Sequence, residues 1–183
     1  MPYEFNFKVN NNTIFECRLA AYQCEAQKNG GGRCNRRVIM GVPYCWTHLL
    51  SIKHLRIKQS TLPNSGKGLF AMNPAIARGN PNAIVFQPGD TIIEFIGDII
   101  HLQELNRRYN IDEEQYTAPY ALQVRQDTYI DPACNRGVGG LANHKPRGRG
   151  ANADFRQIKE RRRGGAVIGI KLVATRAITC CIT

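Results

Sequence analysis

Long apolar runs, internal repeats and low-complexity linkers are all missing from this chain. Without an uninterrupted apolar stretch of about 20 residues it offers no candidate membrane span. The opening "MPYEFNFKVN" has neither the basic nor the apolar region of a secretory leader, so a soluble, nuclear or cytoplasmic protein is expected, not a secreted one. Acids are scarce too: 14 Asp and Glu stand against 25 Lys and Arg, giving a formal net charge of +11 and a pI near 9.6. What is present, 183 residues at 43% hydrophobic, suffices for one main core and a small appendage, and is too little for two full domains.

Helical periodicity is also in short supply. Only "HLQELNRRYNIDEEQY", from residue 101, has helical character. Short strand-like runs dominate instead: 54–60, 67–72, 83–87, a long one at 91–100, then 120–124, 128–132 and 166–178. The turn signals "PNSG", "RGNPN" and "QPGD" separate some of them. A mostly β chain of small sheets is expected, and the lack of βαβ alternation excludes a parallel-sheet nucleotide fold.

The basic excess is concentrated at one end. From Arg136 to Thr183 eleven Lys or Arg face two acids, Asp154 and Glu160, a net of +9, and "RQIKERRRGG" is the densest run. Such a run suits phosphate contacts, and equally a solvated hairpin with no partner.

Four of the seven cysteines fall in the first quarter, which in a cytosolic or nuclear chain favours a metal site over disulfides. Cys24, Cys34, Cys45 and His48 read C-x9-C-x10-C-x2-H, and the two-residue gap in "YCWTH" lets a thiolate and an imidazole converge on one tetrahedral ion. Gly30 to Gly32 would give the tight backbone before Cys34. Four ligands with no open position imply a structural zinc, and Cys17 is a substitute for Cys24; reduced core cysteines are the bland alternative.

A second group of motifs starts at "SGKGLFA", where glycines at 66 and 68 flank Lys67. In order there follow "GDTIIEFIG", "PYALQV", "TYIDP", "LANH", "AN" and "KLVATRAI". Each is weak alone, but in this order, over residues 52–183, they resemble the SET domain of S-adenosylmethionine-dependent protein lysine methyltransferases. The resemblance implies a β-clip-like fold of several short curved sheets with a threaded C-terminal segment. It divides the chain into a cysteine-rich, zinc-binding segment (1–51) and a SET domain (52–183). It also implies that Lys67, Gly68, Leu69, Phe70, Asn143 and His144 bind S-adenosylmethionine and that Tyr120 lines the methyl-transfer channel. The segment between His144 and Asn152 is longer than in the family, and the Pro before Asn152 is missing.

Where the family continues with a Gly-Glu-Glu turn and a channel tyrosine, this sequence reads "TCCIT". Retained cofactor affinity with reduced methyl transfer is therefore expected unless Tyr116 or Tyr129 takes the vacant place. The implied activity is protein-lysine N-methylation of a lysine-bearing tail, a histone tail being the expected case. The alternative is a non-catalytic SET-like module that binds chromatin or nucleic acid through the zinc knuckle and the basic C-terminal quarter.

Overall fold

The computed structural model describes residues 3–8, 16–39, 42–63, 66–74, 78–80, 82–109, 121–135, 137–143, 150–162 and 165–179. The expected architecture of many short strands is found: thirteen strands fall into five small sheets among these residues, and every pairing is antiparallel.

Three strands, β1 (Tyr3–Lys8), β2 (Glu16–Gln23) and β3 (Arg37–Ile39), form the first sheet. Helix α1 (Trp46–Lys53) then leads into the hairpin of β4 (Leu55–Gln59) and β5 (Lys67–Ala71). The strands β6 (Ile84–Phe86), β7 (Thr91–Phe95) and β8 (Asp98–His101) precede helix α2 (Leu102–Tyr109). After it come β9 (Leu122–Arg125), β10 (Thr128–Asp131) and a 3-10 turn, η1 (Val138–Leu141). The long hairpin of β11 (Ala153–Arg162) and β12 (Gly165–Ala174) and the short β13 (Ile178–Thr179) complete the order. Strand β12 lies between β11 and β7, while β13 pairs with β6.

The main core joins Leu55, Ala71, Phe86, Ile92, Val138, Leu172, Ala174 and Ile178 to Val42 and Leu49 from the cysteine-rich segment. Burying side chains of this size stabilises by roughly 1.5–3 kcal/mol each, so the segment is anchored by its own apolar residues.

Two expectations are corrected. The segment at 101–116 does not hold the only helix, because α1 forms at "WTHLLSIK" with no amphipathic stripe to announce it. The run 91–100 is not one strand: it breaks at Ile96–Gly97, and a Cβ on Gly97 would stand 2.6 Å from the Asp131 carbonyl carbon. The chain crosses the end of β10 there, and only glycine permits the approach.

Candidate metal centre and cofactor site

The four residues of the C-x9-C-x10-C-x2-H pattern come together. One ligand atom from each of Cys24, Cys34, Cys45 and His48 lies within 4.8 Å of all the others. The three cysteines are buried and free of disulfides, and the imidazole is half-buried. His48 Nδ1 stands 3.4 Å from Cys24 Sγ and 3.3 Å from Cys45 Sγ. Tetrahedral zinc at ordinary bond lengths would place such a nitrogen and sulfur about 3.5 Å apart. The donor set and its spacing therefore fit a structural zinc with no open coordination position. The backbone of Cys17 lies in β2, opposite Phe7, and its side chain is outside the described residues.

The local sequence explains the convergence. Gly30, Gly31 and Gly32 have φ of +99°, +93° and +79°, a left-handed run that residues with a Cβ avoid. It reverses the chain so that Cys34 N–H donates to the Ala26 carbonyl at 2.7 Å. Arg33 ties the loop down, donating from Nε to the Cys24 carbonyl at 2.9 Å and from Nη2 to the Gln23 carbonyl at 2.7 Å. Cys45 is the N-cap of α1, which puts His48 one turn away on the same side.

The electrostatics separate two of the thiols. Burial pushes the Cys24 thiol up, although it accepts the Cys45 backbone N–H at 3.1 Å. Burial acts on Cys45 as well, but the backbone N–H of His48, the Cys24 thiol and the backbone N–H of Thr47 outweigh it and bring Cys45 down to about 6. The two N–H groups face the sulfur at the helix start without full capping geometry.

The second predicted site also has a geometric basis. Gly68 and Phe70 lie on one face of β5, while Leu69 and Ala71 turn to the main core. A Cβ on Gly68 would stand 2.7 Å from Asn143 Nδ2 and 3.4 Å from Phe70 Cε2. Asn143 Nδ2 donates to Ser60 Oγ at 2.8 Å, and the same oxygen accepts Leu62 N–H at 3.0 Å. Asn143 follows η1, whose Val138 is buried in the main core and whose Gly139 lies against the Glu94 carbonyl, where a Cβ would be 2.7 Å away. The loop asparagine is thus held from a rigid turn onto a strand 75 positions earlier. Phe70 is buried, and Lys58 Nζ stands 5.5 Å from its ring centroid. Lys67 and Asn143 are exposed at the rim, and Leu69 can meet a ligand there only through its backbone. This cradle of glycine, amide and cations fits the zwitterionic tail of S-adenosylmethionine, whose carboxylate needs donors and positive charge.

His144, Tyr116 and Tyr120 lie outside the described residues, as do Cys180 and Cys181. Strand β11, which carries Arg161 and Arg162, is described but not those side chains, and Arg163 is outside. Tyr129 packs with Ile100, Leu105, Tyr109 and Ala133, a cluster that contains none of the cofactor candidates. Asn152 is half-buried, and its carbonyl accepts Thr175 N–H at 3.0 Å.

One polar centre was not evident in the sequence. Asp131 is fully buried and accepts from Arg108 Nη1 at 2.9 Å, Tyr109 OH at 2.7 Å and Ala133 N–H at 3.0 Å. Arg108 also donates to Glu104 at 2.8 Å and to Asp98 at 3.2 Å. The Arg107 and Arg108 guanidiniums hold the Glu104 carboxyl down to about 2. The signal was the pair Arg108-Tyr109 on the buried face of α2, legible only once α2 is known to pack against β10.

No protein-family model matches the chain, and no curated protein does. A solved structure of apo ctPRC2 carrying mutations in Ezh2 is similar over 69% of this chain, with a TM-score of 0.49 and 20% identity. This chain spans 14% of the length of that one. No helix among the described residues is long and apolar enough to cross a membrane.

Proposed function

We propose that the chain is an S-adenosylmethionine-dependent protein-lysine N-methyltransferase of the SET type, acting on a lysine-bearing tail such as that of a histone. Residues 1–51 would form its zinc-binding segment and 52–183 its SET domain. The observation that supports this reading is the seating of Asn143 on Gly68, because it joins the two motifs to which the resemblance assigns cofactor binding.

Lys67, Gly68, Leu69, Phe70 and Asn143, with His144, would hold the cofactor, which supplies an electrophilic sulfonium methyl group when bound. Asn143 offers a donor and an acceptor to its amino-acid tail, and the Gly68 backbone approaches closely because no side chain intervenes. The channel residues must keep the target amine neutral, aligned and dry. Exclusion of water lowers an amine's pKa, and alignment as a near-attack pair supplies roughly 7–11 kcal/mol of the barrier. Tyr120 is assigned to the channel by resemblance. The zinc would fix α1 and, through Leu49, the floor under β4 and β5.

The test is transfer of a radiolabelled methyl group to mixed core histones by the zinc-loaded protein. Label on lysine that disappears in Tyr120→Phe supports the enzyme. No label on any histone, together with cofactor binding, would leave a cofactor-binding module in place of this enzyme.

A further inference from the structure

An open groove of about 240 Å³ runs between the cysteine-rich segment and β4. Val42, Leu49 and Ile57 form its apolar floor, with Tyr44, Trp46 and Arg56 around them. None of the cofactor candidates lines it, and of the four metal-site residues only Cys45 does. Trp46 is 55% exposed, an unusual position for the chain's single tryptophan.

The surroundings are cationic. Between Ala21 and Gln59 the sequence has seven Lys or Arg and one acid, Glu25. Arg33 bonds to loop carbonyls and Arg36 to the Thr47 hydroxyl, both within the metal-binding segment. Arg56 Cζ instead lies 4.6 Å from the centroid of Trp46, and Lys53 Nζ lies 6.0 Å from that of Tyr44. Arg56 Nε is buried and meets no hydrogen-bond partner among the described residues. An unpaired buried donor is unfavourable, and a carboxylate is the partner with which a guanidinium pairs most strongly.

We propose that this groove docks an extended acidic peptide segment of a partner protein, with an apolar side chain on Val42, Leu49 and Ile57 and a neighbouring carboxylate on Arg56. The volume lies below the range of roughly 300–1,000 Å³ typical of small-molecule pockets and has room for one or two side chains. A nucleic-acid strand is disfavoured because Arg56 already covers a face of Trp46 on which a base would stack. A tryptophan and an arginine beside an apolar floor are the residue types that anchor protein interfaces.

The experiment is fluorescence anisotropy on the full, zinc-loaded chain. The probes are labelled peptides with a central Leu or Phe flanked by Glu, the same peptides with Gln for Glu, and a labelled oligothymidine. The Glu peptides are expected to bind about tenfold or more tighter than the Gln peptides. Arg56→Gln should erase that preference and Trp46→Ala should weaken both sets, with zinc content unchanged. Should Arg56→Gln fail to fold, the wild-type preference should still shrink as salt rises from about 50 to 500 mM. Equal affinity for the two peptide sets, no peptide binding, or displacement of the peptides by oligothymidine would each overturn the proposal. None of these readouts depends on methyl transfer.

Discussion

The side-chain amide of Asn143 occupies the space that a Cβ on Gly68 would fill, its nitrogen 2.7 Å from that position. Two segments 75 residues apart are thereby fixed against each other, and the amide is held on the β4–β5 hairpin by Ser60. Gly68 does not have a left-handed φ, so alanine can adopt its backbone. The clash in Gly68→Ala would fall on the end of one exposed side chain, which can swing away cheaply.

Gly68→Ala should therefore fold with a melting temperature close to wild type while displacing the Asn143 amide. Cofactor affinity is expected to fall about tenfold or more, and the Asn143 side-chain NH2 resonances should shift. Normal affinity with a displaced amide would remove Asn143 from the site.

Removal of the metal should release the part of the cysteine-rich segment that precedes Val42 and Leu49. Chelation followed by limited proteolysis is expected to give cuts between Ala21 and Ile39 that are absent with zinc bound, because the cluster of Cys24, Cys34 and Cys45 has few other apolar partners. Equal protection with and without metal would contradict a structural zinc.

Retention of the metal should depend on pH with a definite sign. The folded-state value of Cys45, about 6, is below the unfolded thiol value. Its ionisation thus contributes stability that is fully present above about 8.5 and is lost as pH falls through the folded value. Ligation needs the same deprotonation. Zinc release to a chelating dye is expected to rise as pH drops through 6, and constant retention down to pH 4 would be the contrary result.

The buried carboxylate of Asp131 provides a stability test away from both sites. Asp131→Asn leaves the buried Arg108 without its most deeply buried partner and should cost about 3–5 kcal/mol in urea unfolding. Arg107→Ala, which removes an exposed arginine, should leave the urea midpoint close to wild type. An equally small change for Asp131→Asn would mean that Asp98 and Glu104 alone satisfy Arg108.

These features differ in how far the sequence reveals them. Strands β4, β5, β9, β10 and β12 were legible because apolar residues recur in each of these runs. So was the convergence of Cys24, Cys34, Cys45 and His48, since "YCWTH" fixes two of them at a spacing that would serve one ion. Helix α1 was not legible: "WTHLLSIK" has no apolar stripe, and Cys45 and His48 set its start. The break at Gly97 depends on Asp131, 34 residues later, so no local pattern encodes it. Strand β1 did leave a signal, the alternation Tyr3, Phe5, Phe7, cut short by the asparagines at 10–12, which disfavour strands.

The most direct test is calorimetric titration of S-adenosylmethionine into the wild-type protein and Asn143→Ala side by side. The variant loses one exposed hydrogen bond to Ser60, so its unfolding free energy should change by about 1 kcal/mol or less. Saturable binding to the wild type and none to the folded variant is the predicted result. Equal binding to both, or none to the wild type, would contradict a cofactor site at the Gly68–Asn143 crossing.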